Sequence, residues 1–452
     1  MPLSSSPSSS RTPSIFKEWN VDWMMVFLAL SLVFSGLLAI YSSEGVGLHH
    51  TDHLFRQCCA FAIGAALAFG LVVVPYQVFQ SYYWWSYLFS ALCLVFVLFT
   101  GTVFRGTKGW FMFGPFRLQA SEVARPLFLL SFASYLDRKI QWENFRALVP
   151  PLAIMCVPTG LLLLQPDLSG AIVYVPIVVG MLYLCGARAL HLISLGVMTA
   201  IILGVPLTST YLELAMENDS LTSWQKLVGS VLSGGWQTLA ALAAVSFVIL
   251  SVAWFLKKMK IQMPRFLLAS ALGTVFLGAA GAAIVQHHIK NYQRERLVTF
   301  VSPSIDPLGS GYQVRQSKIA IGSGRVLGKG FTQATQVRLG FLPAFHTDFI
   351  FSVIAEEFGF LGALIVMGFY LLLVWRGFDI AANARDKFGS LMASGIAIMF
   401  AFYGFINIGM TLGLTPVVGI PLPLVSYGGS GLVSHLFAVG LLMSIHRHRY
   451  VL

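Results

Sequence analysis

Charged side chains are scarce in this chain of 452 residues, where Asp, Glu, Lys and Arg together make up 10%. Soluble globular domains carry about 25% charged residues, so that class is excluded. Hydrophobic residues make up 57%, and the mean hydropathy is +0.77. Apolar runs of about 18 residues or more recur along the chain, and about 20 residues of helix cross a bilayer core. The sequence therefore predicts an all-α polytopic membrane protein.

Cysteine is also rare, with five residues that all lie inside apolar runs. No pair has metal-ligand or redox-motif spacing, so packing is their expected role. The Ser/Pro-rich start of the chain lacks the apolar core and cleavage site of a signal peptide. We expect residues 1–20 to form a disordered cytoplasmic tail, 21–446 a membrane domain and 447–452 a short cytoplasmic tail.

Twelve apolar segments are candidate transmembrane helices. They lie at about 22–42, 57–75, 82–100, 122–136, 147–164, 169–186, 189–208, 236–256, 266–286, 349–375, 389–412 and 430–446. With both termini placed in the cytoplasm, short cytoplasmic segments hold 15 Lys and Arg residues and short outer segments hold six. This asymmetry favours that orientation, because basic short loops stay in the cytoplasm.

The remaining eight basic residues lie in one long outer segment, 287–348, whose length exempts it from the orientation rule. A basic outer vestibule fits an anionic ligand, although attraction to anionic lipid headgroups would explain the charge equally well. The segment is dense in glycine, and such backbone can approach a phosphate closely. Within it, Asp306 precedes Pro307, which predicts a constrained turn that is either purely structural or presents a catalytic carboxylate.

Other polar residues lie in or beside the apolar segments. Asp348, Ser352 and Glu356 share one face of a predicted helix. Carboxylates inside a membrane span, such as that of Glu356, are either functional or held in interhelical ion pairs. Glu122 and Arg125 are three residues apart, so they can neutralise each other on a helix. For Asp167 the structural alternative is a helix N-cap.

Two further stretches have alternative interpretations. An outer cluster of His49, His50, Asp52 and His53 is either a metal site or an exposed polar loop. The stretch 421–430 breaks the helical pattern before the last span, which predicts irregular backbone that lines a cavity.

Several separated motifs together resemble the RodA/FtsW family of bacterial cell-wall polymerases, the SEDS glycosyltransferases. They are GWFMFGPFRLQASEVAR at 109–125, QPDLSGA at 165–171, YQRERL at 292–297, DPLGSGYQVRQSKIAIGSG at 306–324, FLPAFHTDFIFSVIAEEFGFLG at 341–362 and PLPLVSYGGSGL at 421–432. The residues of the motifs KIAIGSG, GKGF and GIPLP are more similar to those of the elongation polymerase RodA than to those of the division polymerase FtsW.

The resemblance implies a core of ten transmembrane helices, to which this chain would add an inserted pair near 209–265. It implies a reaction that joins lipid II units into glycan strands and releases undecaprenyl diphosphate. Asp306 aligns with the family's essential aspartate and would be the general base. The substrate-binding residues implied by the motifs are Trp110, Glu122, Arg125, Asp167, Gln316, Lys318, His346, Asp348, Glu356 and Ser426.

The diphosphate charge would be met by arginine and lysine or by a divalent cation, Mg²⁺ or Mn²⁺. The implied partners are lipid II and undecaprenyl lipids, the membrane and a class B penicillin-binding protein, with no nucleic acid. The implied location is the bacterial cytoplasmic (inner) membrane. Competing hypotheses are a lipid II flippase or other transporter, suggested by the span count and the acidic residues, and a noncatalytic scaffold for the penicillin-binding protein.

The chain departs from the family pattern at four places. Ala120 replaces the usual proline, Arg125 the usual lysine and Gly109 the usual arginine, and the glutamate before HTDF is replaced around residues 344 and 345. Arg125 keeps the charge of the lysine but replaces its compact ammonium with a planar guanidinium.

Overall fold

The computed structural model describes residues 21–44, 52–104, 106–114, 116–138, 145–216, 223–232, 236–260, 265–288, 310–342 and 345–450. Helices dominate these residues. In the first half they are α1 (Trp23–Glu44), α2 (Asp52–Val73), α3 (Gln77–Ser81), α4 (Tyr83–Thr100), α5 (Ala120–Arg138), α6 (Val149–Leu164), α7 (Leu168–Ile172), α8 (Tyr174–Leu184) and α9 (Ala189–Met216). In the second half they are α10 (Ser223–Leu232), α11 (Trp236–Lys258), α12 (Arg265–His288), α13 (Ser310–Ser323), α14 (Thr335–Arg338), α15 (Ile350–Ala382), α16 (Lys387–Leu412) and α17 (Gly429–Arg447).

Nine of the described helices are long and apolar enough to cross a membrane. They are α1, α2, α4, α9, α11, α12, α15, α16 and α17. The apolar stretches Val149–Leu164 and Leu168–Leu184 are shorter, and α5 carries two acidic and two basic residues in 19 positions. Each predicted segment thus coincides with helix, and the polytopic all-α class is confirmed. The count of twelve crossings stays a prediction.

The predicted inserted helix pair near 209–265 stays a prediction. Between α9 and α12 the described residues hold one span-length helix, α11, and the ten-residue α10. Ten helical residues extend about 15 Å, half the thickness of a hydrocarbon core. Among the described residues of this range only α11 is long enough to cross, so an inserted pair would also include α9 or α12.

Capping residues explain where several helices begin and end. Asp22 accepts the Met25 amide at 3.1 Å at the start of α1, and Asp386 accepts the Gly389 amide at 2.7 Å at the start of α16. Gly413 ends α16 in the left-handed conformation, at φ +71°, which glycine adopts without steric cost. These caps satisfy backbone groups that a helix leaves unpaired at its ends.

The main core lies where α1, α2, α4, α5, α8, α15, α16 and α17 pack together. A second packing unit forms where α9 lies against α12, with Gly278 and Gly281 facing Ile201 and Ile202. Helix α11 contacts α10 and α12, and its most apolar window is not buried. The region α9–α12 is therefore peripheral to the main core.

One end of the bundle carries the sequence motifs, and we call it the motif end. It contains the antiparallel sheet of β1 (Thr102–Phe104), β2 (Thr107–Phe113) and β3 (Phe116–Gln119), in the order β1-β2-β3. It also contains the turn 165–167 and the irregular segments 345–349 and 413–428. Hydrogen bonds join these parts, including Gln119 Nε2 to Asp167 Oδ2 at 3.2 Å and the Tyr427 amide to the His346 carbonyl at 2.9 Å.

Candidate functional site

Glu122 and Arg125 form a buried ion pair one turn into α5. Arg125 Nη1 donates to Glu122 Oε1 at 2.6 Å, and both side chains are 5% exposed. The pair follows β3 directly, so the sheet and the start of α5 place it near the motif end. Helix α17 adjoins it, since Ser434 Oγ donates to the Glu122 carbonyl at 2.7 Å. The predicted pairing at three-residue spacing is confirmed.

Aromatic side chains from other helices surround this ion pair. The Arg125 guanidinium lies over the Tyr403 ring of α16, 5.5 Å from its centroid. The His435 ring of α17 meets the Tyr403 ring edge-on at 5.5 Å. Tyr174 of α8 is also buried, and its ring packs edge-on against Phe128 of α5, with centroids 4.8 Å apart. Sequence reasoning did not identify Tyr174, Tyr403 or His435, because none of them lies in a recognised motif.

Asp167 caps the start of helix α7, as the structural interpretation of this residue predicted. Its Oδ1 accepts the Gly170 amide at 2.8 Å and the Ser169 hydroxyl at 2.7 Å, and its Oδ2 accepts from Gln119. The side chain is therefore committed to the start of α7 and to the end of β3. A role in binding substrate stays a prediction.

Trp110 lies in the middle of β2, opposite Gln119 of β3. Its indole N–H donates to Thr107 Oγ1 at 3.3 Å, and its ring packs edge-on against Phe104 at 5.7 Å. The ring is partly exposed at the motif end. It is therefore available for contact with a ligand at this end.

The glycine-rich stretch packs against a break in α15. At Gly359 the helix is interrupted, with φ +68° and ψ −163°. The Phe360 amide donates to the Arg325 carbonyl at 2.8 Å, and the Gly330 amide donates to the Glu357 carbonyl at 3.0 Å. A Cβ on Gly328 would lie 2.0 Å from that same carbonyl, so only glycine permits the approach. In this part of the stretch, backbone amides donate to helix carbonyls that the break leaves unpaired. They are therefore not free to bind a phosphate.

Glu356 and Glu357, next to this break, are both buried and held by different parts of the chain. Glu356 Oε1 accepts from Lys329 Nζ at 2.5 Å and from the Thr335 amide and hydroxyl at 2.9 and 2.8 Å. Glu357 accepts from the Ser42 hydroxyl of α1. Glu356 is thus held in an ion pair, which was one of its two predicted roles. Its predicted contact with substrate stays untested.

The segments 345–349 and 421–428 are tied together near the start of α2. Ser426 Oγ donates to the Thr347 carbonyl at 2.7 Å, and Gln57 Nε2 donates to the Ser426 carbonyl at 3.2 Å. The His346 ring stacks on His53, with centroids 5.2 Å apart. The irregular backbone before α17 is therefore enclosed by protein, which is one of the two environments that permit such backbone in a membrane.

The remaining predicted binding residues lie around these segments. Asp348 is half-buried, and its carbonyl accepts from Asn407 Nδ2 at 3.0 Å. On α13, Gln316 is half-buried and the exposed Lys318 lies against Gly413 at the end of α16. Asp306, the predicted general base, lies outside the described residues, as do His49 and His50. The described residues of the predicted site thus lie at the motif end, and the role of Asp306 stays a prediction.

A divalent cation finds no assembled ligand set in the part of the chain that the structure describes. No three His, Cys, Asp or Glu side chains come together there. Glu122 and Glu356 are each paired with a cation of the chain itself, and Asp167 is a cap. These residues do not fit a prebuilt metal centre, and the predicted use of Mg²⁺ or Mn²⁺ stays untested.

Comparison with known proteins gives matches over nearly the whole chain. The family model FTSW_RODA_SPOVE, described as "Cell cycle protein", matches residues 22–248 and 245–451. The chain is 33% identical over 435 residues to the peptidoglycan glycosyltransferase RodA of Treponema pallidum (strain Nichols), with coverage of 94% of this chain and 98% of that protein. It is 32% identical over 433 residues to the peptidoglycan glycosyltransferase MrdB of Escherichia coli (strain K12), with coverage of 96% and 95%.

Two solved structures share the fold. One, described as "Structural coordination of polymerization and crosslinking by a peptidoglycan synthase complex", has a TM-score of 0.64 and 28% identity and covers 95% of this chain and 99% of its own. The other, a mutant of the rod shape determining protein RodA of Thermus thermophilus, has a TM-score of 0.58 and 26% identity, with coverage of 95% and 98%.

Proposed function

The chain belongs to the FtsW, RodA and SpoVE family, and from this membership we propose that it polymerises glycan strands from lipid II during cell elongation. The predicted enzyme class, a peptidoglycan glycosyltransferase, is confirmed by the relatives that carry this name over nearly their full length. The observation that carries the proposal is the placement of the motifs. Segments from distant parts of the sequence meet at one end of a membrane bundle, next to the buried Glu122–Arg125 pair.

In the proposed reaction, Asp306 accepts the proton of an acceptor sugar hydroxyl as its oxygen bonds to the anomeric carbon of the donor. The bond from that carbon to the diphosphate oxygen breaks, and undecaprenyl diphosphate leaves with the electron pair. One direct displacement inverts the anomeric carbon. The leaving group is already a stabilised anion and needs no proton, so a single carboxylate suffices.

The basic residues of segment 287–348 supply positive charge for the departing diphosphate. Two of them, Arg315 and Lys318, lie on α13, which begins at Ser310, a few residues after the predicted base. Lys318 is exposed, whereas Lys329 is paired with Glu356. This difference supports Lys318 as a contact to the diphosphate and Lys329 as a structural residue. Charge-assisted contacts of this kind stabilise developing anions.

The same proposal includes a location and a partner. We place the enzyme in the bacterial cytoplasmic membrane with both termini in the cytoplasm, as the distribution of basic residues favours. The motif end then faces the outer side, where lipid II units are joined. The partner would be a class B penicillin-binding protein, and the solved complex of a structural relative supports this choice. The relatives named RodA and MrdB support a role in elongation.

Transport of lipid II is the alternative that the acidic residues of α15 suggested. In the structure Glu356 caps α14 and pairs with Lys329, and Glu357 binds Ser42. One oxygen of each carboxylate thus has a partner within the chain itself. This favours the polymerase over the transporter.

The decisive experiment measures glycan polymer made from labelled lipid II by the purified protein, alone and with its penicillin-binding protein. Asp306→Asn is nearly isosteric, so it should abolish polymer formation while insertion and the thermal midpoint stay close to wild type. Asp386→Asn is a control at the opposite end of the bundle and should keep activity. Transport across vesicles without polymer would support the flippase, and activity in the partner alone would support the scaffold. Substantial polymer from pure Asp306→Asn protein would refute the assigned base.

A further inference from the structure

Five buried polar atoms around the Glu122–Arg125 pair have no hydrogen-bond partner among the residues that the structure describes. They are Glu122 Oε2, Arg125 Nε, the hydroxyls of Tyr174 and Tyr403, and His435 Nε2. The five side chains come from α5, α8, α16 and α17, and each is at most 5% exposed. We call them the polar chamber. An unpaired polar group is costly in an apolar interior, so five in one place indicate a site for a polar ligand.

Short distances place these side chains close together. A Cβ atom on Gly431 would lie 3.8 Å from His435 Cε1 and 3.9 Å from Glu122 Oε2, so both side chains flank the same turn of α17. The Arg125 guanidinium and the His435 ring each lie 5.5 Å from the centroid of the Tyr403 ring. The Tyr174 ring packs edge-on against Phe128, three residues after Arg125 on α5, with centroids 4.8 Å apart.

The chemistry of the polar chamber selects an uncharged ligand group. Arg125 and Glu122 neutralise each other at 2.6 Å, so the chamber offers no net positive charge to a diphosphate. What it offers is a mixture of donors and acceptors: a carboxylate oxygen, a guanidinium N–H, two phenol hydroxyls and an imidazole nitrogen. Such a set pairs with a hydroxyl or an acetamido group, each of which both donates and accepts.

We propose that the polar chamber binds one hydroxyl or acetamido substituent of the sugar in the lipid-linked substrate, while the diphosphate is bound elsewhere. This inference rests on the proposed function. Burial on all sides limits the ligand to one small substituent and not a whole disaccharide. Tyr403, Tyr174 and His435 are therefore specificity-determining residues for the saccharide, in addition to the motif residues.

The test compares two lipids on the full-length protein: the lipid-linked disaccharide-peptide, and undecaprenyl diphosphate, which has the same anchor and diphosphate but no sugar. Tyr403→Phe and His435→Leu should each weaken binding of the sugar-bearing lipid by about 3- to 10-fold, the loss expected for one hydrogen bond. Binding of undecaprenyl diphosphate should stay within twofold of wild type.

Tyr370→Phe is the matched control. Tyr370 is an equally buried phenol, but its hydroxyl donates to the Phe400 carbonyl at 2.8 Å. Its loss should lower the thermal midpoint and leave the ratio of the two affinities unchanged. Tyr403→Phe removes a hydroxyl that makes no hydrogen bond within the described structure, so it should not lower the midpoint of the unliganded protein.

Equal losses for both lipids would overturn the proposal, because they would place the diphosphate in the chamber. Unchanged affinity for both lipids would overturn it as well and show that the chamber contacts neither the sugar nor the diphosphate. In either case the wild-type protein would still bind and polymerise the sugar-bearing lipid. Failure of the wild type to do so would refute the proposed function itself.

Discussion

Lys329 donates to the Glu356 carboxylate at 2.5 Å, and the same carboxylate oxygen caps the short helix α14 through the Thr335 amide at 2.9 Å. One acidic side chain in α15 thus holds two points of the segment that follows α13. The Gly328 approach to the Glu357 carbonyl adds a backbone contact to this junction. The segment downstream of the predicted catalytic loop is therefore anchored to α15.

Loss of the Lys329 ammonium should destabilise the protein more than loss of both charges. Lys329→Met leaves the buried Glu356 carboxylate without its cation, and because the lysine is a quarter exposed we expect a loss of about 1–3 kcal/mol. Lys329→Met combined with Glu356→Gln keeps a side-chain acceptor for α14 and removes the unpaired charge. The thermal midpoint of this double variant should therefore lie between those of the wild type and Lys329→Met. Lys257→Met, at the exposed end of α11, is the control. Equal midpoints for the single and double variants would show that the unpaired Glu356 charge costs nothing, which would contradict this expectation.

Reversal of the Glu122–Arg125 pair should separate stability from activity. Either single reversal places like charges together in a buried site, which should cost about 3–5 kcal/mol. The double reversal restores an ion pair but inverts its orientation relative to Tyr403 and His435. We expect it to recover most of the thermal midpoint and little of the polymerase activity, measured on the same preparations. Full recovery of activity would indicate a purely structural pair.

Tyr76 should make stability sensitive to alkaline pH. It lies in the turn between α2 and α3, where burial and its hydrogen bond to Asp386 at 2.9 Å raise the pKa of the phenol. A raised pKa in the folded state means that its contribution is complete below about pH 10, where unfolded tyrosine begins to ionise, and is lost above it. The thermal midpoint of wild type should thus exceed that of Tyr76→Phe at pH 8, and the difference should shrink between pH 10 and 11. Tyr82→Phe is the exposed control. A difference independent of pH would contradict this linkage.

Much of the fold could be predicted because apolar segments of bilayer length are a local property of the sequence. The Glu122–Arg125 contact was predictable for the same reason, since three-residue spacing on a helix is also local. The break at Gly359 could not be predicted, because the apolar run continues through it and the partner backbone lies some thirty residues earlier. Tyr174, Tyr403 and His435 were missed because three separate helices contribute them. Only the packing of α8, α16 and α17 against α5 places them together.

The topology of the α9–α12 region yields the last prediction. Removal of residues 217–288 deletes α10, α11 and α12, hence two span-length helices, and joins Met216 to residue 289. An even number of crossings is lost, so every later loop should keep its side of the membrane. Because α11 and α12 contribute no described motif residue, this variant should retain measurable polymerase activity, although α9 exchanges its contacts with Gly278 and Gly281 for lipid.

Removal of 223–258 alone is the matched control for this deletion. It deletes one crossing, so it should invert the later loops and abolish activity. Side-specific labelling of single cysteines in the loops after α15 would report the orientation of both variants. A 217–288 deletion that keeps its orientation, thermal midpoint and partner binding but makes no polymer would show that α11 or α12 builds the active site. The peripheral packing of these helices argues for the opposite result, since among the described residues α11 and α12 pack mainly against α9, α10 and each other, whereas Glu122 and Arg125 lie on α5.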